Sequence, residues 1–318
     1  MKVWQFIKHN AEASVNVMLL YVLESSGSSP GRQGFCMAVA HSGEICGSIG
    51  GGIMEHKFVE MAKARLADGE NIKTVHKQIH DKAAGKNQSG MICSGEQTIF
   101  LHQVTKQDLK AVDALIQSLQ ANQNGTLQLS PQGIFFSNEI PANNFLFEQY
   151  DENDFLLQEK TGYKNKLHII GGGHCALAFS KLMRDMDFYI TVYEERKDLN
   201  TMSENIFAHE KFVIESYNEL SNLISGGENV YVVIMTFGYR TDDIAVRALL
   251  GKECRYIGLL GSRKKIEKLF TEYEHSDLDK KALSEIHSPI GLPIKSQTPE
   301  EIAISIAAEI IAQKNRYQ

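Results

Sequence analysis

The chain has 318 residues, of which 43% are hydrophobic and 23% charged, a composition typical of a soluble globular protein with two domains. Its formal net charge of -6 at pH 7 argues against a surface for nucleic acid or for anionic membranes. The longest apolar run near the N-terminus, residues 17–23, is too short to cross a bilayer, and residues 1–12 lack the apolar core of a signal peptide, so we expect a cytoplasmic protein.

The first half of the chain has the pattern of a mixed α+β domain. Residues 17–24, 35–40 and 44–46 are short runs bounded by turn residues, which predicts three strands. Residues 53–67 place apolar side chains on one face at helical spacing and therefore predict a helix. The elements predicted after it are strands over 72–79 and 97–103, a helix over 106–120 and short strands between 125 and 160.

The second half alternates apolar strands with helices, which predicts a mostly parallel sheet covered on both faces. Its last helix is predicted to begin at residues 298–301, where Thr-Pro-Glu-Glu matches a capping box. The polar segment 161–166 separates the halves, so we predict an N-terminal α+β domain over 1–162 and a Rossmann-like dinucleotide-binding domain over 163–318. The predicted strands of this second domain are 167–170, 189–193, 211–214, 229–235 and 256–260.

The segment LHIIGGGHCALAF follows the first of these strands and opens a helix. Gly171, Gly173 and Ala176 have the G-x-G-x-x-A spacing of dinucleotide-binding turns, in which a pyrophosphate lies against the helix N-terminus. Glu194, after the second strand, occupies the position of the acid that bonds a ribose 2′-hydroxyl. The alternative is a Rossmann fold that serves only as a scaffold. The residues expected to bind a phosphate-bearing ligand are Gly171, Gly172, Gly173 and His174.

Two later loops are expected to face the glycine turn, because ligands of such folds bind beyond the carboxyl ends of the strands. Arg240 and Arg263 suit recognition of phosphate or carboxylate, although solvated loop arginines would have the same pattern. The candidate residues of these loops are Thr236, Gly238, Arg240, Gly261, Ser262 and Arg263.

Three clusters of small residues stand out in the first half: 25–30, 47–52 and 93–96. Tight turns alone would explain each, but their number favours a shared site. Cys93 lies on a polar loop whereas Cys36 and Cys46 lie in apolar strands, so we interpret Cys93 as the functional thiol; a buried, unreactive thiol is the alternative. The five cysteines form no CxxC pair, which indicates reduced thiols.

The second cluster, in CGSIGGGIMEH, precedes the predicted helix and predicts an anion-binding loop. Unpaired N–H groups at a helix N-terminus carry partial positive charge, and absent side chains allow a phosphate to approach closely. A turn that needs positive φ at one or two glycines is the alternative. The candidate residues of the first and second clusters and the following helix are Ser28, Pro30, Gly47, Ser48, Gly50, Gly51, Gly52 and Glu55.

Both halves resemble the XdhC/CoxI family. The motifs SSGSSPGRQG, GSIGGGIMEH and MICSGEQ are similar to its first domain, and HIIGGGHCALAF, TVYEER, MTFGYRTDD, YIGLLGSRKK and SPIGLPIKSQTPEEIAISIAAEI to its Rossmann-type second domain. Two positions depart from the family pattern. Gly31 separates Pro30 from Arg32, where the family often has arginine directly after proline, and Ser94 replaces the first glycine of a Cys-Gly-Gly motif.

The resemblance implies an accessory protein that binds molybdenum cofactor (molybdopterin) and protects it. It further implies help in acquiring the terminal sulfido ligand from a cysteine desulfurase, delivery to an apo molybdenum hydroxylase such as xanthine dehydrogenase, and a homodimer. In that setting Glu55 could accept hydrogen bonds from a pterin's amino and ring N–H groups, and NAD or another dinucleotide remains a second cofactor candidate.

The leading interpretation is therefore a maturation factor without turnover of its own. An NAD-dependent oxidoreductase acting on a small substrate is the alternative, although no acid/base partner for hydride transfer is evident. A nucleotide-sensing regulator is disfavoured because the chain has no basic recognition helix. No metal site is expected, since His76 and His80 stand four residues apart in a predicted strand, where they would lie far from each other.

Overall fold

The computed structural model describes residues 1–69, 73–79, 95–151, 154–276 and 278–316. The chain is an α/β protein that divides into two compact units, Met1–Gly162 and Tyr163–Gln318. Antiparallel sheets form the first unit and a parallel five-stranded sheet forms the second, as the sequence predicted.

The first unit contains two antiparallel sheets, of strand order β3-β2-β1-β5-β4 and β7-β6-β9-β8. Helix α1, which the sequence analysis did not predict, buries Val3, Trp4 and Ile7 along one face. The elements of this unit are α1 (Lys2–Glu12), β1 (Val17–Gly27), β2 (Cys36–Ala40), β3 (Ile45–Gly47), α2 (Gly52–Asp68), β4 (Lys73–Ile79), β5 (Gly95–Gln103), α3 (Asp108–Gln120), β6 (Gly125–Ser130), β7 (Gly133–Ser137), β8 (Phe145–Gln149) and β9 (Phe155–Thr161).

Strand β1 is the centre of this unit because it is apolar on both faces. Side chains alternate across a strand, so Met18 and Leu20 pack into the core beneath α2 while Leu19 and Tyr21 pack into the core shared with α1 and α3. The continuous apolar run of β1 is what a strand covered on both faces requires.

The second unit is a Rossmann-type domain with strand order β12-β11-β10-β13-β14. All neighbouring strands pair in parallel, so their carboxyl ends share one edge of the sheet. The elements are β10 (Asn165–Ile170), α4 (His174–Met183), β11 (Phe188–Glu194), α5 (Asn200–Glu204), β12 (Glu210–Val213), a 3-10 turn (Tyr217–Glu219), α6 (Leu220–Leu223), β13 (Gly227–Ile234), α7 (Tyr239–Leu249), β14 (Cys254–Leu259), α8 (Arg263–Glu274), α9 (Lys280–Ser284) and α10 (Pro299–Asn315).

Apolar cores lie on both faces of this parallel sheet. On one face Phe179 of α4 packs with Ile306 and Ile310 of α10, and on the other Val246 of α7 packs with Leu269 of α8. Helix α10 begins with the predicted capping box, in which Thr298 and Glu301 each accept a hydrogen bond from the other's backbone N–H. Among the helices that the structure describes, none is long and apolar enough to span a membrane.

Candidate functional site

The glycine turn after β10 is held by the neighbouring strands. Gly171 has φ +106°, a conformation that favours glycine, and a Cβ there would collide with the carbonyl of Met235. A Cβ on Gly172 would meet the sulfur of Met202. Gly173 differs, because a Cβ there would meet no atom of the described chain within 4 Å. The fold thus requires glycine at Gly171 and packs Gly172 against the Met202 side chain, while Gly173 keeps the space in front of helix α4 open.

Glu194 lies beside this turn, but its carboxylate is already engaged by the chain. It is 0% exposed and accepts hydrogen bonds from the Gly172 N–H at 2.8 Å and from the Arg196 guanidinium at 2.8 and 2.9 Å. Burial alone would raise the pKa of this carboxyl; the hydrogen bonds from Arg196 and Gly172 outweigh burial and lower it. In this structure Glu194 ties the glycine turn to Arg196, and its role as a ribose ligand stays a prediction.

The loop after β13 is fixed by a buried network at the start of α7. Thr236 donates a hydrogen bond to the fully buried Asp242 carboxylate at 2.6 Å, and Lys265 of α8 forms an ion pair with the same carboxylate. Burial raises the pKa of Asp242, although Lys265 and Thr236 oppose this shift. Gly238 is the N-cap of α7. The predicted loop residue Thr236 thus holds the loop in place.

The remaining candidates of the second unit lie at the surface of this sheet edge. His174, the first residue of α4, is exposed, as are Arg240 and Arg263. Gly261 precedes Ser262, the N-cap of α8, whose hydroxyl accepts from the Lys265 N–H at 3.3 Å. Because these residues follow strands that end on one edge, basic and N–H groups accompany the glycine turn there.

In the first unit, the structure brings the small-residue clusters together. The buried Gln97 side chain donates hydrogen bonds to the carbonyls of Gly31 at 2.8 Å and Ile49 at 3.1 Å, and so joins the first and second clusters. A Cβ on Gly95 would come within 2.6 Å of the Ser29 nitrogen, which places the start of β5 against the first cluster. A Cβ on Gly31 would collide with the Ile49 carbonyl, so the residue that departs from the family pattern serves this close packing.

Part of the second cluster is already hydrogen-bonded within the chain, whereas helix α2 behind it begins without a side-chain cap. One oxygen of the Glu55 carboxylate accepts hydrogen bonds from the Ser48 hydroxyl at 2.6 Å and from the N–H groups of Ile49 and Gly51 at 2.9 Å. Burial works against ionisation of Glu55, but these hydrogen bonds outweigh it and lower the pKa. The anion-cradle interpretation stays a prediction, with the Glu55 carboxylate already bound to two of the loop N–H groups.

Turn geometry accounts for more of these glycines than expected. Gly47, Gly50, Gly51 and Gly52 all have positive φ, between +72° and +130°. Gly50 also packs against the backbone of Gly31, where a Cβ would come within 2.6 Å of its nitrogen. The turn alternative therefore covers all four positions, not one or two. Ser28 is exposed and Pro30 half-buried beside this loop.

Cys93 and His80 lie outside the described residues. Among the cysteines that the structure places, burial raises the pKa of Cys36 to about 12 and also raises the pKa of Cys175 and of Cys254. A raised pKa disfavours the thiolate, which is the reactive form. Cys93 therefore stays a prediction, and these three cysteines are poor alternatives to it.

Sequence reasoning missed two residues that organise these sites. Gln97 is a buried polar residue directly before the apolar run of β5, but the neighbouring Glu96 and Thr98 are polar too, so the sequence gives little signal for its role. Arg196 lies two residues after the recognised Glu194, but its bidentate contact depends on side-chain geometry that spacing does not encode.

The fold and the glycine turn define a two-unit α/β protein with a dinucleotide-binding type of Rossmann domain. Family models agree with this: the model described as the XdhC Rossmann domain matches residues 167–310, and the model described as the XdhC and CoxI family matches residues 11–77. The chain belongs to the XdhC/CoxI family.

Three similar proteins extend the comparison. The chain is 22% identical over 298 residues to YqeB of Escherichia coli (strain K12), which is described as an uncharacterized protein. The match covers 92% of this chain but 43% of YqeB, so the chain spans less than half the length of that relative. It is 22% identical over 324 residues to a protein of Bacillus subtilis (strain 168) described as a probable xanthine dehydrogenase subunit, covering 96% of this chain and 95% of that protein. A crystal structure described as a xanthine dehydrogenase from Bacillus halodurans shares the fold, with a TM-score of 0.72, 22% identity, and coverage of 100% of this chain and 97% of that one.

Proposed function

We propose that this protein binds molybdenum cofactor and delivers it to an apo molybdenum hydroxylase of the xanthine dehydrogenase type. Family membership supports an accessory role of this kind. When bound, molybdenum cofactor supplies a phosphate, a pterin with several N–H donors, and a dithiolene that carries the metal. In this proposal the chain holds and protects the cofactor, and the client enzyme performs the oxidation.

The observation that carries the proposal is the open space in front of Gly173. A Cβ there would meet nothing within 4 Å, whereas Gly171 and Gly172 are closed in by Met235 and Met202. Helix α4 begins directly behind this space, at the exposed His174. A ten-residue helix that follows a β-strand and a glycine turn presents N–H groups and a positive dipole end, which suit the phosphate of the cofactor.

The contacts of the Glu55 loop support the pairing with a pterin that the sequence analysis expected. Two N–H groups of this loop hold the Glu55 carboxylate in place. The contacts with Ser48, Ile49 and Gly51 use one oxygen of Glu55, and the second oxygen of the half-buried side chain can accept hydrogen bonds from amino and ring N–H groups. This supports the proposed pairing of Glu55 with a pterin edge.

Cys93 is proposed as the thiol that contacts the metal or the sulfur of the cofactor. Two proposed partners go with that role, a cysteine desulfurase that supplies sulfur and the apo hydroxylase that receives the finished cofactor. A homodimer in the cytoplasm is the proposed setting. Cys93→Ala should abolish activation of the hydroxylase without lowering the melting temperature, and full activation by this variant would reject the role.

An NAD-dependent oxidoreductase remains the second candidate, because the parallel strand order is that of dinucleotide-binding domains. Two observations weigh against it. The acid expected to bond a ribose hydroxyl is buried and fully engaged, and Tyr193, a tyrosine at the same sheet edge, has a pKa raised by burial to about 12. A tyrosine of that pKa is a weak proton donor near neutral pH.

The proposal is tested by reconstitution of an apo molybdenum hydroxylase with isolated molybdenum cofactor, with and without this protein. We expect the wild-type protein to raise the rate and yield of activation. Gly173→Asp places a carboxylate in the space proposed for the phosphate and should abolish the effect at unchanged melting temperature, whereas Gly251→Ala, on an exposed turn at the opposite edge of the sheet, should retain it. Activation that does not depend on the protein would contradict the proposal.

A further inference from the structure

Two residues outside the candidate set meet at the carboxyl edge of the parallel sheet. Phe237 follows β13 and is 63% exposed, and the guanidinium of Arg196, which follows β11, lies 4.8 Å from the centre of its ring. Strand β10 runs between these two strands, so the pair reaches across the strand that leads into the glycine turn. The boundary between β10 and β13 is where the strand order reverses, and open α/β sheets bind ligands there.

The guanidinium is held in a fixed orientation before any ligand arrives. Two hydrogen bonds of 2.8 and 2.9 Å fasten it to the Glu194 carboxylate, which is 0% exposed and also accepts from the Gly172 N–H. Arg196 therefore connects the glycine turn to Phe237 through one continuous set of contacts. A guanidinium fixed in this way stacks on one side of the ring, and the 63% exposure of Phe237 leaves ring surface open to solvent.

The geometry points to Phe237, backed by Arg196, as a stacking platform for a planar nitrogen heterocycle. This inference rests on the proposed function, because it assumes that the phosphate of the same ligand lies at the glycine turn. Purines and the pyrimidine ring of pterins are flat heterocycles whose π-faces stack on aromatic side chains. A phosphate site at the glycine turn does not account for the contact between Phe237 and Arg196, whereas a ring-binding role does.

A single exposed phenylalanine is ordinary on a protein surface. Three features separate Phe237 from that case: its place at the reversal of strand order, its contact with a cation fixed by a buried acid, and the direct link of that acid to the glycine turn. Phe135, exposed to 46% on β7 of the first unit, offers a matched control without these features.

The test compares ligands that share the phosphates and differ in the ring. Titration calorimetry would give dissociation constants of the wild-type protein for ADP and for inorganic pyrophosphate, and for neopterin triphosphate and inorganic triphosphate. The variants are Phe237→Leu, Phe237→Trp, Phe135→Leu and, for the phosphate site, Gly173→Asp. The experiment changes Phe237 and not Arg196, because loss of Arg196 would leave the buried Glu194 without its ion pair.

We expect Phe237→Leu to weaken at least one ring-bearing ligand about tenfold, with its inorganic counterpart unchanged, since base stacking on an aromatic ring has about this magnitude. Phe237→Trp should keep the wild-type affinity for the ring-bearing ligand, and Phe135→Leu should leave the dissociation constants unchanged. The ligand that responds identifies the ring, a purine for ADP and a pterin for neopterin triphosphate.

Other results overturn the inference in distinguishable ways. Equal weakening of ring-bearing and inorganic ligands by Phe237→Leu would show a general loss of the site instead of stacking. No response to Phe237→Leu, with loss of binding in Gly173→Asp, would reject the platform and leave the phosphate site standing. Absence of binding of all four ligands by the wild-type protein would reject both the platform and the phosphate site.

Discussion

At the scale of single residues, one carboxylate is hydrogen-bonded to each of the two glycine loops. Glu55 accepts from the N–H groups of Ile49 and Gly51, and Glu194 accepts from the N–H of Gly172. Glycine-rich loops attract anions, and an acid of the same chain competes for this role when its backbone lies close enough. The spacing of glycines did not reveal these contacts, and the ligands of both loops stay predictions.

The contacts of Glu55 predict a stabilising role. Glu55→Gln replaces a charged acceptor of three hydrogen bonds by an amide, and we expect a loss of about 1 kcal/mol in the free energy of unfolding. Denaturant unfolding of Glu55→Gln measures this, with Glu60→Gln, an exposed acid of the same helix, as the control. Equal stability of the two variants would show that the carboxylate is not anchored in the loop.

Gly51 allows the effect of backbone strain to be measured at the same loop. Its φ of +76° is unfavourable for alanine, whereas a Cβ there would meet nothing within 4 Å. Gly51→Ala should therefore lower the free energy of unfolding by about 1 kcal/mol through strain alone. A thermal melt would check this, and an unchanged or raised melting temperature would contradict the turn geometry described for the loop.

Substitution of Glu194 should lower the free energy of unfolding more than the changes at Glu55 and Gly51, because its carboxylate is fully buried. Glu194→Gln turns an acceptor of the Gly172 N–H and of Arg196 into a group that also donates, and about 3 kcal/mol of stability should be lost. Hydrogen exchange at the amides around the turn would report the loss locally. The exposed Glu204→Gln in α5 is the control, and equal protection in both variants would contradict the positioning role.

At the scale of elements, a buried pair joins the end of β5 to the start of α3. Asp108 accepts hydrogen bonds from His102 at 2.8 Å, from the Thr105 N–H at 2.7 Å and from the Ile134 N–H at 2.9 Å. Burial opposes ionisation of this carboxyl, but the hydrogen bonds from His102, Ile134 and Thr105 outweigh it and lower the pKa to about 2. The contact therefore depends on an ionised Asp108.

The sign of the pH dependence follows from this lowered pKa. In the unfolded chain Asp108 takes up a proton near pH 4, whereas in the folded chain it does so near pH 2, so its contribution is present above about pH 4 and is lost between about pH 4 and pH 2. The contribution is about 2 kcal/mol. The stability difference between the wild-type protein and Asp108→Asn should shrink over this window, while the difference for the exposed Asp68→Asn should stay constant. A constant difference for Asp108→Asn would contradict the assignment.

The N-terminal cap of helix α10 should contribute to the stability of the Rossmann unit. Thr298→Ala removes the side-chain acceptor of the capping box and should cost about 1 kcal/mol, while Thr298→Ser keeps the hydroxyl and should retain most of it. Because α10 packs through Ile306 and Ile310 against α4, the loss should appear in unfolding of the second unit. Equal melting temperatures of Thr298→Ala and Thr298→Ser would show that the cap does not contribute.

The elements themselves were largely predictable from sequence. Continuous apolar runs such as residues 17–23 and 229–235 predicted buried strands, and alternation with helices predicted the parallel sheet. Helix α1 was missed because its apolar face rests on three residues of a short segment. The hydrogen bonds of Glu55, Gln97 and Glu194 were not predictable, since they depend on which loops tertiary packing brings together.

At the scale of the whole molecule, family membership and the open glycine turn both support the proposed binding of a phosphate-bearing cofactor. The two competing functions differ in the ligand they require. A maturation factor holds a pterin with a phosphate and releases it to a client, whereas an oxidoreductase holds a dinucleotide through catalysis. The identity of the bound small molecule therefore separates them more directly than any rate measurement.

The most direct measurement is mass spectrometry of the small molecules released from the protein after anaerobic purification. The central claim, that the protein binds molybdenum cofactor, predicts release of a phosphate-bearing pterin in about equal amount to the protein, and loss of this pterin in Gly173→Asp. Release of NAD without any pterin, lost in the same variant, would contradict the claim and favour the oxidoreductase.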